Sequence, residues 1–256
     1  MKIFVLLKRT FDTEEKMIVS GNEIDDSSAE FIMNPYDEYA VEEAIVLREK
    51  HGGEITVVTV GDEEAEKEIR TALAMGADQA VLIENGEIEE CDSHTTALLI
   101  ASYLKSQEYD LIIGGNFSID NGSGQVGPRI AEHLGIPQVT TITKIEVTDR
   151  QAVVTRDADG DEEIIEVSLP LLVTAQQGLN EPRYPSLPGI MKAKKKTIET
   201  IDVDDLELDE EELEAKSSVL EVFLPSPKES GVMIEGEPTE QVNQLISYLH
   251  TTKKVI

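Results

Sequence analysis

From residue 54 to residue 149 the chain alternates short apolar, β-branched runs with helical stretches, and that alternation limits the fold more than any other feature. "EITVVTVG" (54–61) reads as a strand, "DEEAEKEIRTALAMGAD" (62–78) as a helix with Gly76 near its end, and "QAVLIE" (79–84) as a strand. "SHTTALLIASYLKSQ" (93–107), "YDLIIGG" (109–115), "QVGPRIAEHLG" (125–135) and "QVTTITKIEVTD" (138–149) continue as helix, strand, helix and strand. Parallel strands require a crossover of a dozen residues or more, and the intervening helices supply it. The expected fold is therefore α/β: a doubly wound, mostly parallel, Rossmann-like nucleotide-binding sheet with a C-terminal arm. The expected boundaries are an α/β domain at 1–177, a distinct loop at 178–196 and an arm at 197–256.

Upstream, "IFVLL" (3–7) reads as a buried strand and "MIVSGNEID" (17–25) as a small hairpin turning at Gly21-Asn22. "NPYDEYAVEEAIVLREKHGG" reads as a helix. Asn34 stands at the capping position, Pro35 suits the first turn, and Asp37 and Glu38 complement the helix dipole. Gly52-Gly53 ends it. Downstream, "AVVTRDADGDEEIIEVSL" (152–169) reads as a hairpin turning at Asp159-Gly160, and "PLLVTA" supplies one more strand. The acidic run 201–216 has too few apolar residues for a core of its own. "SVLEVFLP" is strand-like and "TEQVNQLISYLH" is a plausible amphipathic helix. Apolar patches without a core imply an arm that docks, on its own domain or on another chain.

Composition narrows the partners. With 52 acids against 22 bases the net charge is -30, which repels phosphate backbones and argues against nucleic acid. The excess serves solubility, and a sharper expectation is a host with a saline cytoplasm, where salt screens the self-repulsion. Aromatic residues are 4% and tryptophan is absent, against a base- or sugar-stacking platform. A single cysteine, Cys91, forms no internal disulfide and points to a reducing setting. No run reaches the ~18 apolar residues of a membrane span, and "IFVLL" is too short for a signal-peptide core. The expectation is a soluble, cytoplasmic protein with no direct membrane insertion.

In open α/β sheets, ligands sit beyond the carboxyl ends of the strands where strand order reverses. Two places qualify: Leu6 to Arg9, and the loop "NFSIDNGSGQVGPRIAEHLG". That loop contains Gly122, Gly124 and Gly127 as G-x-G-x-x-G, but too far from the strand end to be the NAD fingerprint. The physics is more general: glycines let N–H groups crowd a phosphate, and a helix start adds unpaired donors and positive potential. A plain connecting loop is the alternative. The P-loop pattern is absent. His51, His94, His133 and His250 are scattered over apparent helices or their ends and read as surface or packing residues. Cys91 lies beside acids, which disfavours a thiolate nucleophile. "DADGDEE" has the composition of a calcium loop without its spacing. No catalytic residue and no metal site is expected.

The segment "GLNEPRYPSLPGIMKAKKK" (178–196) sets five bases against one acid in this acidic chain. It strongly resembles the signature of the β subunit of electron-transfer flavoproteins. The likeness extends to "VLLKRTFD", "NPYDEYAVEEA", "RTALAMGAD" and "GGNFSIDNGSGQVGP", covering residue 3 to about residue 196 and more weakly the tail. The resemblance implies pairing with an α subunit that holds most of an FAD near the interface and on which the arm 197–256 docks. The pair takes electrons from acyl-CoA dehydrogenases and related enzymes, as in fatty-acid β-oxidation, and delivers them to a membrane quinone oxidoreductase. The chain itself is then a carrier subunit rather than an enzyme, with a structural AMP. Carried over, the nucleotide contacts fall on Leu6, Asn34, Pro35, Tyr36, Asp37, Val60, Gly115, Asn116, Phe117, Ser118, Ile119, Asp120, Asn121, Gly122, Ser123, Gly124, Gln125 and Val126. Asn34 is expected to offer an amide to adenine or ribose, and Asp120 to accept from ribose hydroxyls.

Bifurcating members of the family hold a second FAD in place of AMP and oxidise NADH with it. They usually carry a "DGDTAQVGP"-like loop; here it reads "DNGSGQVGP", which favours AMP. The resemblance also makes 178–196 the anchor for dehydrogenase partners. Leu187 is its apolar plug, flanked by Pro188, Ile190 and Met191, and Pro182, Pro185 and Pro188 lower the ordering cost of docking. Its lysines either steer acidic partners or pair with the chain's own acids, and the competing reading of the segment is a basic helix start packed on the α subunit. The same likeness gives Asp157 the place of an acid that holds one orientation of the mobile flavin domain. By fold alone, a nucleotide sensor of the universal-stress type is a third reading, which the 178–196 segment disfavours.

Overall fold

The computed structural model of the protein describes residues 1–255 except 13, 15, 87, 89 and 229; positions 229 and 256 of the expected arm thus lie outside the described residues. The N-terminal half contains β1 (Lys2–Leu6), β2 (Arg9–Phe11), β3 (Ile18–Ser20), β4 (Glu23–Asp25), β5 (Phe31–Met33), α1 (Pro35–His51), β6 (Glu54–Gly61), α2 (Glu66–Met75), β7 (Gln79–Glu84), α3 (Ser93–Lys105), β8 (Leu111–Gly115) and α4 (Val126–Leu134). Then follow β9 (Gln138–Thr148), β10 (Gln151–Ala158), β11 (Asp161–Ser168), β12 (Leu171–Ala175), α5 (Leu187–Ala193), β13 (Glu199–Asp202), α6 (Glu210–Leu213) and α7 (Pro238–Tyr248).

Among the described residues nine strands form one sheet in the order β11-β10-β9-β12-β8-β1-β6-β7-β13. The strands from β9 through β12, β8, β1, β6 and β7 to β13 pair in parallel, and β9, β10 and β11 are antiparallel. The sheet is doubly wound: β1 feeds β6 and β7 on one side, and the chain then returns to β8 on the other. Strand order therefore reverses at β1, and a crevice opens beyond the carboxyl ends of β1 and β8.

The apolar runs are buried on both faces, as parallel strands require. Along β1, Ile3 and Val5 face the layer containing α1 and α2, whereas Phe4 and Leu6 face the layer containing α3 and α4. The small hairpins form where turn residues predicted them, β3 with β4 and β10 with β11.

Two stretches differ from their sequence reading. The acidic run, too poor in apolar residues for a core alone, joins an existing one. β13 runs parallel to β7, and Ile201, Val203, Leu206, Leu208 and Leu213 pack against the α3 face. The strand-like run 218–225 forms no strand; Val219, Leu220, Phe223 and Leu224 are exposed.

Contacts divide the chain into Met1–Leu220 and Glu221–Ile256. The second unit carries α7, the amphipathic helix expected there, with Val242, Leu245 and Ile246 about half exposed. Among the described residues no helix is long and apolar enough to cross a membrane.

Candidate nucleotide site

The crevice at the strand reversal is a cleft of about 280 Å³. Its floor is Leu6 and Val60 from the ends of β1 and β6. One wall is the loop from Gly115 to the start of α4, and the other is the start of α3. Of the residues predicted from sequence, Leu6, Asn34, Asp37, Val60, Gly115, Asn116, Phe117, Ser118, Asn121, Ser123, Gly124, Gln125 and Val126 line it. Pro35, Tyr36, Ile119, Asp120 and Gly122 do not.

Asp37 is the knot that shapes the cleft. Its side chain is buried, at 5% exposure. Oδ2 accepts the Lys8 N–H at 2.7 Å, and Oδ1 accepts the Gly115 N–H at 2.9 Å and the Asn34 side-chain amide at 3.0 Å. One carboxylate thus ties the end of β1, the start of α1 and the end of β8. A Cβ on residue 115 would collide with Asp37 Oδ1, so only glycine permits this approach. Burial pushes the Asp37 carboxyl up to about 7, against the pull of its three donors.

Asn34 departs from its expected roles. Its side chain does not cap α1. The amide nitrogen donates to Asp37 and to the Phe117 carbonyl at 3.0 Å, and the amide oxygen accepts the Ile119 N–H at 3.3 Å. The whole amide is committed to holding the 117–119 loop. Tyr36 stacks against Phe117 with ring centroids 4.3 Å apart. Asp120, expected to meet a ribose, holds Lys8 Nζ at 2.7 Å, which also lies 3.4 Å from Ser118 Oγ.

The donors a phosphate needs lie at the start of α4. Among the described residues no protein group accepts from the N–H groups of Gly124, Gln125, Val126 or Gly127. Gly124 has φ +61°, and a Cβ at Gly127 would come within 2.9 Å of Thr174 Cγ2; the glycines let the backbone bend and pack there. Gln125 turns its side-chain oxygen to Arg129 at 2.8 Å. Ser123 Oγ is 3.1 Å from Ser93 Oγ, so the first turns of α3 and α4 converge on one spot. Free N–H groups at the start of a helix and two hydroxyls suit an anion.

Sequence reasoning missed one whole wall. Cys91, Asp92, Ser93 and Thr96, with Asn85 and Thr174, also line the cleft, as does Lys8 from the Leu6 to Arg9 stretch named from sequence. The available signal was the strand-to-helix junction after β7, whose strand ends two places from β1 in the sheet. Asp92 caps α3, accepting the His94 and Thr95 N–H groups at 2.8 and 3.0 Å. Burial would raise its carboxyl, but those donors and Lys216 and Ser217 outweigh it and hold it well below the usual carboxylate range.

The basic loop is pinned from beneath. Asn180 donates to the Tyr39 carbonyl and Glu43 at 3.0 Å. Arg183 pairs with the buried Glu42 at 2.8 Å and with Glu49 at 2.7 Å. Ser186 caps α5 by accepting the Gly189 N–H, and a Cβ at Gly189 would strike the Ala74 carbonyl of α2. Seated on α2, α5 projects Leu187 and Met191, at 78% and 67% exposure, next to Tyr184 at 95%. Pro188 lies in its first turn, and Ile190 is partly covered by the groove against α2. Among the described residues Lys192, Lys194 and Lys195 have no ion-pair partner, while Lys196 donates to the Ala77 carbonyl. Asp157 is exposed beside a shallow hollow of about 380 Å³ that Tyr36 also lines.

Comparison with known proteins adds a second line. The "Electron transfer flavoprotein domain" model matches residues 22–206. The chain is 60% identical over 257 residues to the electron transfer flavoprotein subunit beta of Bacillus subtilis (strain 168), covering 100% of both chains. It is 41% identical to the electron transfer flavoprotein subunit beta of Syntrophomonas wolfei, over 100% of this chain and 98% of that one. It is 36% identical to the caffeyl-CoA reductase-Etf complex subunit CarD of Acetobacterium woodii, over 97% of this chain and 98% of that one.

Proposed function

The chain belongs to the electron transfer flavoprotein family as a β subunit, and from that premise we propose that it is the plain, AMP-holding kind. It pairs with an α subunit that carries FAD, receives electrons from acyl-CoA and related dehydrogenases, and passes them toward a membrane quinone oxidoreductase. The observation that carries the AMP assignment is the cleft itself. Its volume, about 280 Å³, lies just under the roughly 300–1,000 Å³ of ligand pockets, and its wall includes the "DNGSGQVGP" loop, whose sequence favours AMP over a second FAD.

The residues present fit that group. The uncommitted N–H groups of Gly124 to Gly127 face where a phosphate would sit, with Ser93 and Ser123 hydroxyls beside them. The Asn34–Asp37 knot fixes the loop that lines the pocket rather than meeting ligand polar groups itself. FAD, when bound by the pair, supplies the electron chemistry. This chain contributes a rigid nucleotide-filled body and the docking surface of Tyr184, Leu187 and Met191, stiffened by three prolines so that little order is lost on docking. Leu187, Pro188, Ile190 and Met191 are the proposed dehydrogenase contacts.

A second reading is a bifurcating β subunit in which a second FAD occupies the cleft and oxidises NADH. The "QVGP" stretch of the loop, which the "DGDTAQVGP"-like loop of bifurcating members also carries, leaves room for it. One experiment separates the two: the purified pair is mixed anaerobically with either an acyl-CoA dehydrogenase and its substrate, or NADH alone. The proposal expects flavin bleaching with the dehydrogenase and none with NADH. Rapid bleaching by NADH would replace it with the second reading.

A further inference from the structure

Asp92 stands where three parts of the fold meet. Oδ1 accepts the His94 and Thr95 N–H groups at 2.8 and 3.0 Å, closing the first turn of α3. Oδ2 accepts the Lys216 N–H at 3.0 Å and the Ser217 N–H and hydroxyl at 2.9 Å. Residues 203–217 thus form a strap across the start of α3. Thr95 Oγ1 donates to the Leu213 carbonyl at 3.1 Å, and His94 Nε2 lies 3.1 Å from the Glu212 carbonyl. Leu206, Leu208 and Leu213 pack beneath it. On the other side of the same turn, Cys91, Ser93 and Thr96 form a wall of the nucleotide cleft, and Ser93 touches Ser123 at the proposed phosphate seat.

We propose that Asp92 is a positioning residue that links strap and cleft. A nucleotide seated against α3 and α4 holds the strap down, and the docked strap holds the α3 wall in place for the nucleotide. This rests on reading the cleft as an adenine-nucleotide site. The physical basis is saturation: a carboxylate offers about four acceptor positions, and five donors converge on Asp92 from both sides. The α3 turn therefore cannot shift without stranding donors on the strap, and the strap cannot lift without loosening the turn. Such coupling is reciprocal by linkage: whatever factor the nucleotide applies to the strap, the strap applies to the nucleotide.

Asp92→Asn separates the two roles. Asparagine caps helices about as well as aspartate, but its NH2 in place of Oδ2 would face three donors. Lys216 provides the reporter, because trypsin cuts after lysine and both amides around that bond are held by Asp92. In the full chain, AMP affinity is read by calorimetry and strap docking by the rate of cleavage after Lys216. The expected result is that saturating AMP slows this cut about fivefold or more in the wild type and not in Asp92→Asn, within the usual span of coupling. Asp92→Asn should also weaken AMP about tenfold, or about 1.4 kcal/mol. Ser217→Ala, which removes one exposed donor, should weaken both effects in smaller measure with an unchanged far-UV spectrum, and it decides the matter if Asp92→Asn does not fold. If the wild type binds AMP but is cut equally fast with and without it, or if the variants bind AMP like the wild type, the coupling is overturned while the cleft keeps its ligand. If the wild type binds no AMP, the reading of the cleft falls and the coupling falls with it.

Discussion

Asp37→Asn tests how the cleft is built, because the replacement keeps the side chain's shape and removes its charge. In the wild type, burial moves the carboxyl from an ordinary 3.8 to about 7. A folded-state value above the unfolded one means the native state holds a proton that the unfolded chain releases. This group's contribution is therefore fully favourable below about pH 4 and is lost as pH rises toward 7. At about 1.4 kcal/mol per pH unit, the loss totals about 4 kcal/mol, a large share of a domain's 5–15 kcal/mol. Asparagine does not titrate, so the variant escapes that loss. It has its own penalty, because the NH2 replacing one carboxylate oxygen strands a buried donor at about 1–3 kcal/mol: either the Lys8 N–H, or the Gly115 N–H and the Asn34 amide. Urea unfolding at pH 5 and pH 8 measures the balance. The variant should be the less stable protein at pH 5, and the gap should shrink or reverse by pH 8. A gap of the same size at both values would mean that Asp37 stays ionised throughout and that burial does not dominate its environment.

Three further outcomes follow from the same geometry. Asp92 is displaced in the opposite direction, so its stabilisation is present above about pH 4 and disappears as pH falls below it; the wild type should be the more stable protein at about pH 6, its advantage over Asp92→Asn, whose side chain does not titrate, should shrink as pH is lowered below about 4, and a gap that stays constant would refute this. Leu187→Ala removes the apolar tip of the exposed loop, and should lower the efficiency of dehydrogenase-driven flavin reduction about tenfold, as loss of a small hot spot does, with flavin and adenine content unchanged. With a net charge of -30, the thermal midpoint should rise as KCl goes from 0.1 M to 1 M, which shortens the screening length from about 10 Å to about 3 Å; a flat midpoint would show that the acids repel one another too little to matter.

The parts of the fold legible in the sequence are those where local pattern and tertiary role agree. Val57, Val58, Ile112 and Ile113 are buried on both faces of the sheet, so their runs read as parallel strands without ambiguity. Gly124 and Gly127 announced a loop able to bend around a ligand, and that loop does form one wall of the cleft. β13 was illegible because Ile201, like Val203 just after it, stands isolated among acids and gains meaning only from a core already built by α3 and β7. Asp92 and Ser93 were illegible for a topological reason: Ser93 reaches Ser123 because strand order reverses at β1, bringing distant helix starts together. Asp37 showed the subtlest failure. An acid in a first turn reads as a partner for the helix dipole, and nothing local reveals that its side chain is turned inward to hold Lys8 and Gly115.

The most direct test is a count of what the assembled pair contains. Acid extraction of the purified α–β complex, followed by separate quantification of adenine nucleotide and flavin, should return one AMP and one FAD per pair. Two flavins and no AMP would contradict the account at its centre, because the cleft beneath Gly124 to Gly127 would then hold a dinucleotide.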